Sequence, residues 1–366
     1  MSETIHQEID TTGGWIGFAR FMELALYAPG LGYYVAGAAK LGGEGDFVTA
    51  PEISPLFGRT LARQIAQLLE CSAGHVLELG AGSGTMAADV LGELQNVDRL
   101  PQRYLILETS PQLVERQQRT LQQRHPALKD RIEWISALPV GFEGIVIANE
   151  VLDALPTHLV VWRRGGGICE RGVSWKDRFV WADRPLPLGT LRSAAEAIGA
   201  EAVYVSEISL VVPALVRSLS ATLRKGALLL IDYGFGRREY YHPQRLQGTL
   251  MCHYRHRAHD DPFFLPGLQD LTAHVDFTAV AEAGIETGLK LLGYATQAQF
   301  LVNSGITRLL EGHSGDATTS RFALTAGAQK LLSPAEMGEM FKVIALGRGI
   351  DGPLIGFASG DKSRLL

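Results

Sequence analysis

The chain has 366 residues, 46% hydrophobic and 20% charged, with a formal net charge of −5. That length admits two domains, or one core with a large insertion, and mild acidity without long runs of one sign gives no basic face for nucleic acid. Three well-separated cysteines, Cys71, Cys169 and Cys252, form no C-x-x-C pair, which points away from a disulfide framework or zinc site and toward a reducing compartment.

At the start, MSETIHQEID lacks the basic opening and apolar run of a secretory signal. No apolar run nears the about 18 residues that cross a bilayer, so the expected location is the cytoplasm, without membrane insertion. WIGFARFMELALY carries helical spacing through Phe18, Phe21, Met22, Leu24 and Ala25. The glycine-rich, aromatic stretch from Ala28 to Ser54 reads as an ordered loop. Its Tyr33, Tyr34 and Phe47 either pack that loop or touch a bound ring. Ser54–Pro55 reads as an N-cap followed by a first-turn proline, opening a helix that buries Phe57, Leu61, Ile65 and Leu68.

Short strands then alternate with helices: HVLELG and TMAADVLGEL, RYLILE and a helix starting at Ser110–Pro111, then RIEWIS and GIVIANE. Strands this short and apolar on both faces predict a parallel sheet covered by helices. After Pro156 the alternation breaks into three strands, THLVVWRR, GICERGVSW and RFVWAD, turning at Gly165–Gly167 and Lys176–Asp177. It resumes with the helix ISLVVPALVRSLSATLR, Gly226 as its C-cap, and the strand ALLLIDYG. A loop rich in aromatic, His and Arg residues follows. DLTAHVDFTAVAEAG leads into a helix, and MFKVIALGRG reads as the last strand.

The turn after the first of these strands decides the chemistry. A dinucleotide fingerprint wants G-x-G-x-x-G, and a P-loop wants G-K-[ST]. Here the glycines are Gly80, Gly82 and Gly84, with Glu78 two residues ahead of them. A carboxylate facing pyrophosphate is repelled; one facing an ammonium group is favoured. E-x-G-x-G-x-G therefore suits a cofactor with a cationic amino-acid end and no phosphate, which is S-adenosylmethionine. The glycines let the backbone approach it closely, and Glu108 at the end of the second strand is placed for its ribose hydroxyls.

Ligands of open α/β sheets bind outside the carboxyl ends of the strands, so Asn149, Glu150 and Asp153 after GIVIA rim the place where a methyl group leaves. Methyl transfer needs the acceptor held in line and developing charge stabilised. Two carboxylates matter most for a cationic acceptor: they offset its repulsion by the sulfonium and grip a guanidinium through paired hydrogen bonds. The plainer alternative makes Asp153 the cap of a turn and leaves Glu150 solvated.

Taken together, FARFMELALYAPGLGYY, GDFVTAPEISPLFG, VLELGAGSGTMAADVL, ANEVLDALP, IDYG and DLTAHVDFTA resemble the MidA-type methyltransferases over nearly the whole chain. The resemblance implies an α/β, Rossmann-like, seven-stranded class I methyltransferase sheet with an N-terminal helical and loop segment and an inserted β-meander. The mitochondrial members assist assembly of respiratory complex I and are regarded as protein-arginine methyltransferases of an NADH:quinone oxidoreductase subunit. By position, the family's cofactor motif falls on Glu78, Gly80, Ala81, Gly82 and Gly84, its strand-end acid on Glu108 beside Thr109, and its N-E-x-x-D motif on Asn149, Glu150 and Asp153. Asp46, Thr49 and Glu52 resemble the loop that closes beside the cofactor. No mitochondrial targeting peptide is read at the start, so the organelle is not expected to carry over; the expected partner is a protein substrate, with an NADH:quinone oxidoreductase subunit as one candidate, since bacterial members need not modify the same subunit.

The expected organisation is a segment 1–70 closing over the cofactor, a first half-core 71–156, a meander 157–190, and a second half-core 191–366 with a substrate-side loop 235–275. The expected catalytic residues are Glu150, Asp153 and His274. For His274 and Asp276 the readings are an acceptor-cleft lining or a buried structural pair. Cys252, His253, His256 and His259 are read as part of a polar loop meeting a protein partner, with no metal. The rivals are a non-catalytic assembly chaperone and a small-molecule methyltransferase; an NAD-dependent oxidoreductase is disfavoured by Gly84 and Glu78.

Overall fold

The computed structural model describes residues 1–36, 49–72, 74–200, 203–312 and 318–366. Two short helices come first, α1 (Ser2–Thr11) and α2 (Phe18–Tyr27), followed by α3 (Pro55–Cys71). Ser54 caps α3, its Oγ accepting the Leu56 N–H, and Phe57, Leu61, Ile65 and Leu68 are all buried on one stripe. A cap of this kind stabilises a helix by about 1 kcal/mol. Two further helices follow glycine- and serine-marked starts, α4 (Thr85–Asn96) and α5 (Pro111–Arg124).

Seven strands form the central sheet: β1 (His75–Leu79), β2 (Arg103–Leu107), β3 (Ile132–Ile135), β4 (Phe142–Asn149), β5 (Leu223–Phe235), β6 (Lys290–Thr296) and β7 (Phe341–Arg348). Their order is β3-β2-β1-β4-β5-β7-β6. The first five run parallel, and β7 is antiparallel to both its neighbours. A two-residue strand, Val275–Asp276, lies parallel to the end of β5. Side chains alternate between two cores. Val76, Ile145 and Leu229 face α3 and α4, whereas Leu77, Val146 and Leu228 face the other layer. That layer holds α7 (Val211–Thr222) and α8 (Phe277–Glu286), whereas α6 (Thr190–Ile198) packs against Val160, Trp162 and Tyr204. Each fully buried Leu or Val contributes about 1.5–3 kcal/mol, which explains why the strands read as unbroken apolar runs.

Gly226 does not cap α7, which ends at Thr222; it lies inside β5. There its φ is +137°, and a Cβ would sit 1.8 Å from the Gly144 carbonyl oxygen. Close approach of β4 and β5 excludes any side chain, so the glycine that looked like a stop signal is a packing requirement.

The meander forms as three antiparallel strands, His158–Trp162, Ile168–Trp175 and Phe179–Pro185. It is completed by Tyr204–Ile208, which pairs with the first of them, and by Ile16–Gly17. The inserted sheet thus reaches past residue 190, and Ile208, whose spacing suggests the following helix, ends a strand. Phe18 and Phe21 of α2 pack against Trp181, Phe179 and Phe263, fixing the N-terminal helices to this sheet. Part of the His-rich loop forms a small sheet of Met251–Tyr254, Arg257–His259 and Asp270–Thr272, with Cys252 buried. Among the described residues no helix is long and apolar enough to cross a membrane.

Candidate active site

A cleft of about 350 Å3 opens at the carboxyl ends of β1, β2 and β4. The chain leaves β1 through Gly80, Gly82 and Gly84, whose φ values are +61°, +54° and +82°, a path L side chains resist. Gly80, Ala81 and Gly82 line the cleft. Gly84 instead packs on α5, where a Cβ would lie 3.1 Å from the Gln117 Cα.

Glu78 is fully buried at the cleft wall. The Tyr104 hydroxyl donates to its Oε2 at 2.6 Å, while Oε1 has no partner among the described residues. Burial pushes this carboxyl up to about 7; Tyr104 opposes the shift and Glu108 adds to it. An unpartnered carboxylate oxygen on a residue lining a cleft fits an ammonium group and repels a phosphate. Glu108 is held differently: Thr109 and Ser110 N–H groups donate to Oε1 at 2.9 Å each, and Gln117 Nε2 donates to Oε2 at 3.0 Å. Its position is set by the two residues leading into α5 and by Gln117 in the second turn of that helix, and its remaining acceptor capacity suits a pair of hydroxyls.

Gln117 was not foreseen. It is fully buried, and besides Glu108 it donates to the Gly82 carbonyl at 3.1 Å and accepts from Trp134 Nε1 at 2.9 Å. One amide thus ties together the glycine turn, the strand-end acid and β3. The available signal is spacing: Leu113, Gln117 and Leu121 recur every four residues, which puts a polar group on the inward face of the helix.

At the end of β4, Glu150 has φ +53°, a left-handed conformation costing a non-glycine residue about 1–2 kcal/mol. Its N–H is anchored to the Ile231 carbonyl at 2.9 Å. Asn149 Nδ2 and the Ala50 N–H both donate to its Oε1 at 3.0 Å. Burial pushes the Glu150 carboxyl up to about 8; the Ala50 N–H and Asn149 oppose this, and the Asp153 and Asp270 charges reinforce it. Asp232, fully buried on β5, accepts the Leu152 N–H at 2.9 Å and the Asp153 N–H at 3.2 Å, folding this turn against the sheet.

Thr49 and Glu52 line the cleft from the helical turn Ala50–Ile53. Glu52 accepts from the Ser83 hydroxyl, so this turn is fastened to the glycine turn as well as to Glu150. Asp46 and Phe47 lie outside the described residues. Tyr27 and Tyr34 stack with centroids 5.6 Å apart and both reach the cleft; Tyr33 belongs to the core. Thr109 and Asn149 also line the cleft.

Asp153 and His274 are not on this cleft. They line a separate cavity of about 340 Å3. The Tyr233 hydroxyl donates to Asp153 Oδ2 at 2.5 Å, and burial, opposed by that bond, holds the carboxyl up to about 6. His274 meets Tyr233 edge-on at 5.1 Å. Burial first, then Arg245 and Lys342, lower its pKa to about 4, which leaves it neutral at pH 7. Asp276 accepts the Thr278 and Ala279 N–H groups at the start of α8 and pairs with Arg237 at 3.3 Å, so it caps a helix.

The strand order, with one strand reversed near the edge, and the acid-flanked glycine turn define a class I methyltransferase that uses S-adenosylmethionine. The chain belongs to the S-adenosyl-L-methionine-dependent methyltransferase family whose model matches residues 56–295. It is similar to a Burkholderia thailandensis protein solved bound to S-adenosyl-homocysteine. The two are 50% identical with a TM-score of 0.96, over 100% of this chain and 96% of that one. It is also similar to the mitochondrial protein arginine methyltransferase NDUFAF7 of Danio rerio, at 31% identity over 91% of this chain and 83% of the relative. Its human counterpart is 30% identical over 93% and 81%.

Proposed function

We propose that this methyltransferase acts on arginine side chains of a protein. The observation that carries the reading is Glu150, a half-buried carboxyl lining the cofactor cleft, in a chain similar over nearly its full length to enzymes named protein arginine methyltransferases. When bound, S-adenosylmethionine supplies a methyl group activated by a positive sulfur. Glu78 would hold its ammonium end, Glu108 its ribose hydroxyls, and the Gly80–Gly82 turn and Asn149 its remaining contacts. Thr49 and Glu52 would flank it from the chain segment that carries them. Protonated in the empty cleft near neutrality, Glu150 ionises when a guanidinium arrives, because an adjacent positive charge lowers a carboxyl's pKa. It then accepts hydrogen bonds from two guanidinium nitrogens, fixes the third toward the cofactor, and takes the proton lost on methylation. Asp153 and His274 serve the acceptor from the neighbouring cavity.

The first acceptor to test is a subunit of an NADH:quinone oxidoreductase, and the proposed location is the cytoplasm, which cell fractionation checks. The decisive experiment follows labelled methyl groups from cofactor into proteins of a strain lacking this gene product. Methylarginine in acid hydrolysates, lost with Glu150→Gln, is expected. Label appearing only in small metabolites, or on no molecule at all, overturns the reading.

A further inference from the structure

The cavity beside the cofactor cleft carries an argument of its own. The turn after β4 is its shared wall, and Leu155 lines both spaces. Three of the residues lining it carry a buried polar atom with no hydrogen-bond partner among the described residues: Asp153 Oδ1, Thr157 Oγ1 and His274 Nδ1. Asp153 is 6% exposed and Thr157 2%. Buried polar atoms are normally paired, so three unpaired ones on residues around one cavity mark a place built to be completed by hydrogen bonds from outside the chain.

The charge of the lining says of what kind. Five carboxylates and two arginines surround the cavity. Both arginines are already matched, Arg237 with Asp276 and Glu282, Arg217 with Glu286. Glu207 accepts the Thr249 and Leu250 N–H groups at 2.8 Å. Asp153 has no cationic partner among the described residues. The space between these groups is walled by apolar side chains, Leu152, Leu155, Ile208 and Val212 among them. An apolar corridor ending in acceptors suits an aliphatic stem with a cationic, donor-rich head.

We propose that this cavity is a docking subsite for an arginine side chain of the acceptor protein other than the one methylated, with Asp153 Oδ1 and Thr157 Oγ1 accepting its N–H groups. The proposal rests on the protein-arginine reading above and adds a specificity element to it: the acceptor carries a second basic residue near its target. Asp153, Thr157 and His274 are thereby positioning residues, one turn removed from the reacting atoms. A neutral His274 ring leaves a nitrogen able to accept a third bond.

The test uses the full chain saturated with S-adenosylhomocysteine and N-acetyl-arginine amide as probe, with the neutral citrulline counterpart as control, in ligand-observed NMR titrations. Binding of the arginine probe is expected to exceed that of citrulline by about ten-fold, and Asp153→Asn and Thr157→Val should each weaken it by a similar factor, on the order of one charge-assisted hydrogen bond. With a protein acceptor in hand, the same variants should raise KM more than they lower kcat. The affinity for S-adenosylhomocysteine, a check on folding, should stay unchanged. Probe binding equal in the parent and both variants, or equal for arginine and citrulline, sinks the subsite. If the methylated residue proves not to be arginine while charge-selective probe binding persists, the acceptor reading falls and the subsite stands. If arginine is methylated but the variants bind the probe as the parent does, the subsite alone falls.

Discussion

Replacing Glu78 by Gln tests the electrostatics of the cofactor cleft. In the free protein burial holds this carboxyl at about 7, against an ordinary 4.5. An ammonium group arriving at Oε1 favours the ionised form. S-adenosylhomocysteine, which keeps the amino-acid terminus but lacks the sulfonium, therefore binds the carboxylate and displaces its proton. Affinity should climb about ten-fold per pH unit below pH 7 and flatten above it, a change on the order of 100-fold between pH 5 and pH 8. Titration calorimetry in two buffers of different ionisation enthalpy reads the displaced proton directly, about one per ligand at pH 6. In Glu78→Gln the Tyr104 hydroxyl keeps an oxygen to donate to, but no proton is displaced. The pH dependence disappears, and the plateau affinity falls by about ten-fold or more. Stability should move the other way. A carboxyl whose folded pKa is raised contributes stability that is full below its unfolded pKa and lost as pH rises through about 7. Above that pH the charge costs the empty fold on the order of 3 kcal/mol, so the Gln variant should melt higher than the parent at pH 8. A parent whose affinity is flat across this range and matches that of the variant refutes the assignment.

Three more outcomes are expected. Glu150→Gln should abolish methyl transfer yet leave S-adenosylhomocysteine binding within about three-fold; in the parent, kcat/KM for the acceptor should rise with pH to about 8, and that limb should be missing in any residual activity of the variant. Gln117→Leu, which touches no ligand, should weaken cofactor binding by releasing Glu108 and destabilise the fold by about 1–3 kcal/mol through the stranded Trp134 N–H and Gly82 carbonyl; calorimetry and thermal melts read both. Gly226→Ala should cost about 3 kcal/mol or more in urea unfolding, because β4 and β5 must part to admit the methyl group.

Much of this was legible in the chain itself, for reasons of periodicity. The capped stripe Phe57–Leu68 and the apolar strands declare themselves because local pattern and burial agree. E-x-G-x-G-x-G is legible because its chemistry is contained in seven consecutive residues. What escaped depends on partners distant in sequence. Gln117 looks like any residue of a polar helix until Trp134 and Gly82 are brought to it. Strand Tyr204–Ile208 is defined by pairing with His158–Trp162 across two further strands and a helix. The N-E-x-x-D spacing likewise hides that Glu150 and Asp153 line different spaces; the left-handed backbone at Glu150 redirects the chain between them.

The left-handed backbone at Glu150 bears on descent. Glycine or asparagine at that position would be more comfortable, and a single substitution reaches the easier state. A carboxylate survives there only while something selects for it. In a lineage that kept the fold for binding alone, drift would erase the acid before it eroded the glycine turn. The residue found at this one position can therefore sort working enzymes from retired ones among distant copies.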